Sequence, residues 1–277
     1  MLRTILLGLD GSPDGDGALE LGIDWARRHN AMLVGLAVID APAIRESPAW
    51  PVGPAESQRA LDEGLIADAN RRADQVLERF AIRCAEEKIA CKPLEDTGVP
   101  CERILDEAVR FDLVVLGRRG HYQYAPRNGR DETLEKVIKG SARPVVTVTE
   151  RPAAGDAVLI AYDGSPPAAR AVQAFVNLGL AEKREVVVVS VGDDHASLAR
   201  GSDRIVDFLD HHGIVARSLP VESPESPALV ILRYTELCKA GLVVMGSFGK
   251  PAWKDLLLGS TTREVVRESN VPVFLHH

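Results

Sequence analysis

The sequence predicts an α/β fold made of two tandem, open, mostly parallel five-stranded sheets, with helices on both faces in a Rossmann-like three-layer arrangement. Three observations lead to this prediction. The chain has 277 residues, near the upper limit for a single hydrophobic core. One motif, an apolar strand followed by Asp-Gly-Ser-Pro, occurs at residues 4–13 and again at 157–166. Strand-like apolar runs alternate with helical patterns in both halves, which is typical of parallel sheets with right-handed crossovers.

Two further matches extend the repeat toward its end. Residues 112–120 resemble residues 241–249, and Arg143-Pro144-Val145-Val146 resembles Val271-Pro272-Val273-Phe274. Self-similarity of this kind is the mark of duplicated structural units. We therefore expect two domains, one per repeat.

The expected domains are residues 1–150 and residues 151–277, with a short Pro- and Gly-containing linker at 151–156. Each repeat is read as five strands with helices between them. The predicted strands are 3–9, 32–39, 90–95, 112–117 and 144–149 in the first repeat, and 157–162, 185–191, 214–221, 241–246 and 271–275 in the second.

The Asp-Gly-Ser-Pro segments mark where the first strand of each repeat ends. Ser12 and Ser165 are predicted N-caps, because each is followed by a proline, which suits the first helical position. The preceding Asp10 and Asp163 then lie at the carboxyl end of strand one. Ligands of open α/β sheets bind at that edge.

Composition narrows the possible partners. The formal net charge of −7 argues against a nucleic-acid partner, since that affinity rests largely on clustered Lys and Arg. The four cysteines form no C-x-x-C pair, so neither a metal site nor a disulfide framework is indicated. No apolar run has the length of a membrane span, and no secretory signal is recognisable, so we expect a cytoplasmic protein.

A glycine pattern follows the fourth strand of the second repeat. Gly246 and Gly249 are separated by two residues, and nine residues later Gly259-Ser260 opens a predicted helix. Glycines let the backbone approach phosphate oxygens, and the amides of Ser260 and Thr261 at a helix N-terminus donate to negative charge. The combination predicts a phosphate-binding loop.

With these residues the sequence resembles the tandem form of the universal stress protein family over nearly its whole length. The family's ATP-binding pattern, Gly-x2-Gly-x9-Gly-Ser/Thr, is matched without a gap. Its strand-one Asp is matched by Asp163, its strand-two valine by Val191, and its Cys-Pro-Val ending by Val271-Pro272-Val273. The resemblance implies a fold of the adenine-nucleotide alpha hydrolase type and ATP, with or without Mg²⁺, as the ligand.

The resemblance also implies a set of binding residues in the second repeat. Adenine is expected near Ala161, Asp163 and Val191, ribose near Asp163 and Met245 to Gly246, and the phosphates at the glycines and the helix start. Lys250 follows Gly249 and is within reach of a phosphate, although a solvent-facing lysine is an equal alternative. The implied residues are Ala161, Tyr162, Asp163, Val191, Met245, Gly246, Gly249, Lys250, Gly259, Ser260 and Thr261.

The first repeat departs from this pattern. Asp10, Val38, Gly117 and Gly120 remain, but Asp131-Glu132 stand where Gly-Ser belongs. Two carboxylates suit a helix N-terminus and repel phosphate, so Asp131 is interpreted as a helix cap. The basic residues of this region favour a solvated surface, with an anion site or ion pairs to those acids as the alternatives; they are Arg118, Arg119, Arg127 and Arg130. We expect the first site to be weak, altered or empty.

These features favour an ATP-binding, stress-response regulatory protein with little or no turnover. In-line phosphoryl transfer needs metal-holding acids, a positioned nucleophile and cationic charge, and only Asp163 suggests the first of these. Slow ATP hydrolysis or autophosphorylation stays open. An adenylating enzyme would carry Ser-Gly-Gly-x-Asp-Ser or His-x-Gly-His after strand one, and the segment Asp163-Gly164-Ser165-Pro166 is neither.

The remaining alternative is a nucleotide-independent interaction scaffold. The resemblance implies that the final strands of the repeats, Pro144 to Thr149 and Pro272 to His276, pair antiparallel, so that one chain mimics a dimer. An unidentified protein partner and a homodimer of the whole chain are both compatible with the sequence.

Overall fold

The protein is described by a computed structural model covering residues 1–46, 55–120, 131–181, 184–247 and 259–277. Its chain contacts divide it into two compact units. The N-terminal unit is Arg3–Ala142, and the C-terminal unit is Arg143–His277 together with Met1–Leu2.

The N-terminal unit contains a parallel sheet with the strand order β3-β2-β1-β4. Its elements, in chain order, are β1 (Thr4–Gly8), α1 (Pro13–His29), β2 (Met32–Ile39), α2 (Ala41–Glu46), α3 (Ala55–Glu86), β3 (Cys91–Thr97), α4 (Pro100–Ala108), β4 (Leu113–Gly117) and α5 (Thr133–Gly140).

The C-terminal unit contains a sheet with the order β5-β10-β9-β6-β7-β8. All its neighbouring strands are parallel except β5 and β10, which are antiparallel. Its elements are β5 (Val145–Val148), β6 (Ala157–Ala161), α6 (Pro166–Leu178), β7 (Glu185–Gly192), α7 (His195–His211), β8 (Ala216–Glu222), α8 (Pro227–Leu237), β9 (Ala240–Gly246), α9 (Ser260–Glu268) and β10 (Val273–His276).

The predicted fold class is confirmed: the chain is α/β, with mostly parallel strands and helices between them. Each predicted strand is present within about two residues of its expected bounds, because apolar runs and turn residues mark strand ends well. Each sequence repeat contributes five strands, as expected, but the compact units contain four and six of the described strands, since β5 falls in the C-terminal unit.

The reason for this difference is the pairing of β5 with β10. Val273 lies opposite Thr147 and Leu275 opposite Val145, which is the antiparallel arrangement that the family resemblance implies for the two final strands. The compact units consequently divide at 142/143, whereas the sequence repeat divides at 150/151.

The helices begin where the sequence places their caps. The Ser12 hydroxyl accepts from the amide of Gly15 at 3.0 Å, and the Ser165 hydroxyl accepts from Ala168 at 3.3 Å. Both helices carry a proline at their start. These bonds satisfy amides that the helix itself leaves open, so α1 and α6 start directly after the carboxyl end of the first strand of each repeat.

The core of the C-terminal unit lies between α6 and the strands β9 and β10. Phe175 of α6 meets Phe274 of β10 edge to face, with ring centroids 6.1 Å apart, and both rings are fully buried. Aromatic pairs of this geometry add to the free energy gained from burial alone. The contact fixes α6 over the strands that form the candidate site. Separately, none of the helices in the described ranges combines the length and apolar character needed to cross a membrane.

The Phe274→Ala substitution is expected to lower the free energy of unfolding of the C-terminal unit by about 3–5 kcal/mol, because it removes a fully buried ring and leaves a cavity. Denaturant unfolding followed by fluorescence and circular dichroism measures this change. Val215→Ala is the control, since Val215 is 82% exposed, and should stay within about 0.5 kcal/mol of wild type. Equal effects of the two substitutions would contradict this account of the core.

Candidate functional site

The candidate site lies at the carboxyl edge of the C-terminal sheet, where the order of the strands reverses. The chain passes from β6 to β7 and β8 on one side, and then returns to place β9 on the other side of β6. β6 is the central strand, with β7 on one side and β9 on the other. Its last residue, Ala161, lies opposite Val189 of β7 and Met245 of β9. A crevice at such a reversal is the usual ligand position in open α/β sheets.

The turn after β6 holds Asp163 at this edge. The amide of Tyr162 donates to the carbonyl of Val189 at 2.9 Å, and the Ser190 hydroxyl donates to the carbonyl of Tyr162 at 2.7 Å. Gly164, which directly follows Asp163, has a φ of 79°, a left-handed conformation that favours glycine. The backbone on both sides of Asp163 is therefore fixed.

The carboxylate of Asp163 stays accessible despite this fixed backbone. Its Oδ1 accepts from the amide of Ser165 at 3.0 Å, and the residue is exposed. A carboxylate retains further acceptor positions after one such bond, so Asp163 can accept from a hydroxyl group or contact a cation.

Tyr162 and Val191 border the same turn. Burial raises the pKa of Tyr162, and the negative charge of Asp163 acts in the same direction, so the phenol stays protonated and can donate. Val191 is half-buried near the end of β7, two residues beyond the position opposite Ala161. Both residues lie beside the carboxyl end of β6.

Gly246 brings the end of β9 against the first turn of α6. A Cβ atom at this position would lie 2.6 Å from the amide nitrogen of Ala168 and 2.9 Å from the carbonyl carbon of Pro167. Both are backbone atoms, which cannot move aside without shifting the helix. Only glycine fits here, so packing against α6 by itself requires this glycine of the motif.

The start of α9 is tied to this same point. The Thr262 hydroxyl donates to the carbonyl of Gly246 at 3.2 Å, so the helix begins beside the end of β9. Gly259 is the N-cap of α9 and provides no side-chain hydrogen bond, and the first turn contains no acidic residue. Ser260 is exposed and Thr261 half-exposed. The amides and the dipole at this helix start can therefore receive an anion.

Most of the residues implied by the sequence thus come together at one edge of the sheet. Ala161, Tyr162, Asp163, Val191, Met245 and Gly246 lie on the ends of three adjacent strands, and Gly259, Ser260 and Thr261 lie at the helix start joined to Gly246. Gly249 and Lys250 fall outside the described residues. Their binding role stays a prediction, as does that of the others.

Sequence reasoning missed three polar residues that shape this edge: Ser190, Ser247 and Thr262. Ser190 is a single hydroxyl within a valine-rich run, which is the signal that could have identified it. Ser247 is fully buried and follows Gly246 directly. Its hydroxyl has no hydrogen-bond partner within the described part of the chain.

The corresponding edge of the N-terminal unit is arranged differently. Asp10 is 7% exposed and its Oδ1 accepts from both the amide and the hydroxyl of Ser12, at 3.1 and 2.7 Å. Asp131 accepts from the amide of Thr133, the first residue of α5, at 2.8 Å, but the N-cap position is Glu132 and not Asp131 as expected, because the helix starts one residue later than the sequence alignment placed it. These carboxylates turn toward the protein's own amides.

The basic residues of that region differ in their contacts and exposure. Arg119 lies near Asp14, with Nε 3.6 Å from Oδ2, and Arg118 is half-buried. Glu132 pairs with Lys136 at 3.2 Å. Arg127 and Arg130 fall outside the described residues. The ion pair of Arg119 is therefore with α1 and not with the acids before α5.

Comparison with known proteins agrees with the fold. The family model described as the universal stress protein family matches residues 1–149 and 220–277, together more than half of the chain. A universal stress protein of Mycolicibacterium smegmatis is 26% identical, over 98% of this chain and 96% of its own length. One from Synechocystis is 28% identical over 65% of this chain, and the match spans 63% of that relative, less than two thirds.

A solved structure has the same architecture. The crystal structure of a universal stress protein from Archaeoglobus fulgidus aligns with a TM-score of 0.73 and 22% identity, covering 99% of this chain and 96% of its own. At this level of identity the likeness shows the fold.

Gly246→Ala is expected to lower the free energy of unfolding by about 1–3 kcal/mol, because the added Cβ would press on backbone atoms of α6. Denaturant unfolding measures it. The control is Gly201→Ala in α7, where a Cβ would meet nothing within 4 Å. Helix propensity should make that variant equal to wild type or more stable, by up to about 1 kcal/mol. A neutral Gly246→Ala would disprove the tight contact.

His276 ends β10 beside Gly246 and gives a pH-dependent prediction. Burial lowers its pKa from 6.5, and the positive charges of His277, Arg170 and Arg143 act in the same direction, giving about 4. Because the unfolded chain takes up the proton more readily, the contribution of neutral His276 is complete above pH 6.5 and is lost as the pH falls toward 4.

His276→Asn should therefore reduce the loss of stability between pH 6.5 and pH 4, as measured by urea unfolding at several pH values. His195→Asn, which removes an exposed imidazole at the start of α7, is the matched control. The prediction fails if the wild-type and His276→Asn stability curves run parallel across that interval.

Proposed function

The chain belongs to the universal stress protein family, and we propose that it binds ATP at the carboxyl edge of the C-terminal sheet and acts as a stress-response regulator with little or no turnover. The observation that carries the proposal is the start of α9. It has no side-chain cap and no acid in its first turn, and it is joined to the glycine end of β9 through Thr262.

The phosphates are assigned to this helix start. The amides of Ser260 and Thr261 point out of the first turn of α9, where the helix dipole favours negative charge. The exposed Ser260 hydroxyl adds a donor. Gly249 and Lys250 are assigned to the same phosphates from the sequence motif alone.

The nucleoside is assigned to the crevice between β6 and its neighbours. Adenine lies near Ala161 and Val191, where backbone groups at the ends of β6 and β7 provide donors and acceptors. The exposed carboxylate of Asp163 accepts from ribose hydroxyls, and Met245 with Gly246 borders the sugar. Tyr162, still protonated, adds a phenol beside Asp163.

Turnover is proposed to be slow or absent, since rapid phosphoryl transfer needs a positioned nucleophile and cationic charge at the γ-phosphate. The described residues contain no group of three or more His, Cys, Asp or Glu side chains able to hold a metal ion. Mg²⁺ would accompany the phosphates, with Asp163 as the carboxylate nearest to them in this assignment. Lewis-acid stabilisation of phosphate charge is the chemistry that the ion would supply.

The regulatory step is proposed to be the binding of one nucleotide by two elements at once, the end of β6 and the start of α9. A nucleotide spanning β6 and the start of α9 contacts parts of the chain that are far apart in sequence. A protein partner that recognises the linked form would then distinguish the ATP-bound from the free protein. The proposal includes such a partner, a cytoplasmic location and the association of two chains.

Protein purified without added nucleotide is expected to carry about one equivalent of ATP per chain, released on denaturation and quantified by anion exchange. Gly259→Asp should abolish it, because the new carboxylate would face the phosphates at the helix start. Val215→Asp adds the same charge at an 82% exposed position before β8, at the opposite edge of the sheet, and should keep the nucleotide.

Two other outcomes are informative. Two equivalents of ATP would show that the N-terminal unit binds as well, against the expectation. No nucleotide, and no uptake when ATP is added, would contradict the proposal and favour the nucleotide-independent scaffold.

A further inference from the structure

The N-terminal unit contains an internal contact at the place where its fourth strand ends. Oδ2 of Asp14, in the first turn of α1, accepts from the backbone amide of Arg119 at 2.8 Å. The side chain of Asp14 is only 7% exposed, and the guanidinium of Arg119 is a further 3.6 Å neighbour. A bond from an amide to a buried carboxylate is among the stronger hydrogen bonds in proteins.

This contact sits on a backbone arrangement that both units share. A Cβ atom at Gly117 would lie 2.7 Å from the carbonyl carbon of Asp14 and 2.8 Å from the amide nitrogen of Gly15. Gly246 makes the same approach to Pro167 and Ala168. The fourth strands of the two repeats therefore end at equivalent points, and the side chain at the second helical position differs: Asp14 in one unit, Pro167 in the other.

A second carboxylate of the N-terminal unit, that of Asp131, bonds to a backbone amide at the start of α5. Asp131 accepts from the amide of Thr133 at the start of α5, a residue that aligns with Thr261 when the repeats are superposed on their final strands. In the C-terminal unit the positions of Asp14 and Asp131 are occupied by Pro167 and Gly259, whose side chains carry no charge.

We propose that Asp14 is a specificity-determining residue that prevents nucleotide binding in the N-terminal unit. Its carboxylate, together with that of Asp131, takes the place that a bound phosphate would occupy. The carboxylate of Asp14 binds the amide of Arg119 and holds that amide without a ligand, and its charge repels a phosphate brought to the same turn. The inference about nucleotide rests on the proposed function of the C-terminal unit, whereas the inference about the Arg119 amide does not.

Repulsion between carboxylate and phosphate explains why the C-terminal unit would bind nucleotide and the N-terminal unit would not. ATP brings three to four negative charges to a helix start, and attraction there depends on uncompensated amides and the helix dipole. In the N-terminal unit the amides of Arg119 and Thr133 already have carboxylate partners. A phosphate would have to displace them and bury its charge beside them, which is unfavourable.

The first test measures the protection of the Arg119 amide without any nucleotide, by amide hydrogen exchange in the full-length protein. Asp14→Ala should accelerate exchange there by roughly tenfold to a hundredfold, the effect of losing one hydrogen bond to a charged group. Asp16→Ala removes an exposed carboxylate from the same turn and should leave it unchanged. Asp14→Asn preserves size and should be intermediate. Equal exchange in Asp14→Ala and Asp16→Ala would overturn the proposal.

The second test asks whether the closed unit can be opened, using Gly259→Asp as the background so that uptake by the C-terminal unit is removed. Asp131→Gly with Glu132→Ser should stay empty when ATP is added, and the further change Asp14→Pro, which copies Pro167, should restore up to one equivalent. Restoration without the Asp14 change, or failure of both combinations, would refute the role of Asp14. Failure of the proposed function would instead show as a wild-type chain that takes up no ATP, with the exchange result unaffected.

Discussion

The close approach of a strand end to a helix start is the constraint on which each unit depends. Gly117 and Gly246 let the fourth strand of their repeats press directly on the first turn of the helix that follows strand one. Because main-chain atoms meet main-chain atoms, the contact has little freedom to adjust. It fixes the end of the fourth strand against the first turn of that helix.

On this shared backbone the two units carry opposite chemistry. The C-terminal unit leaves an accessible carboxylate on the strand-one turn and an uncapped helix start across from it. The N-terminal unit turns Asp10, Asp14 and Asp131 onto its own amides. The two edges thus differ in where these carboxylates bond, while the strand order around them is the same.

Much of the fold was predictable because its signals are local. Apolar runs gave the strands, and Ser-Pro pairs gave the starts of α1 and α6. The glycine motif located the candidate site, since its spacing reflects a strand end and a helix start. What sequence reasoning missed depends on contacts between distant residues: the bond from Arg119 to Asp14, the bond from Ser190 to the Tyr162 carbonyl, and the tie from Thr262 to Gly246. No local pattern specifies which distant amide a carboxylate will find.

The position of β5 has a consequence for how the chain can be divided. By sequence β5 belongs to the first repeat, yet it covers the outer edge of β10 in the C-terminal sheet. A fragment that starts after residue 150 would lack that cover and present a row of unpaired backbone groups, the feature that promotes edge-to-edge association. The sequence repeat and the compact unit are therefore offset along this chain, and a fragment that is to keep β10 paired with β5 has to begin before residue 145.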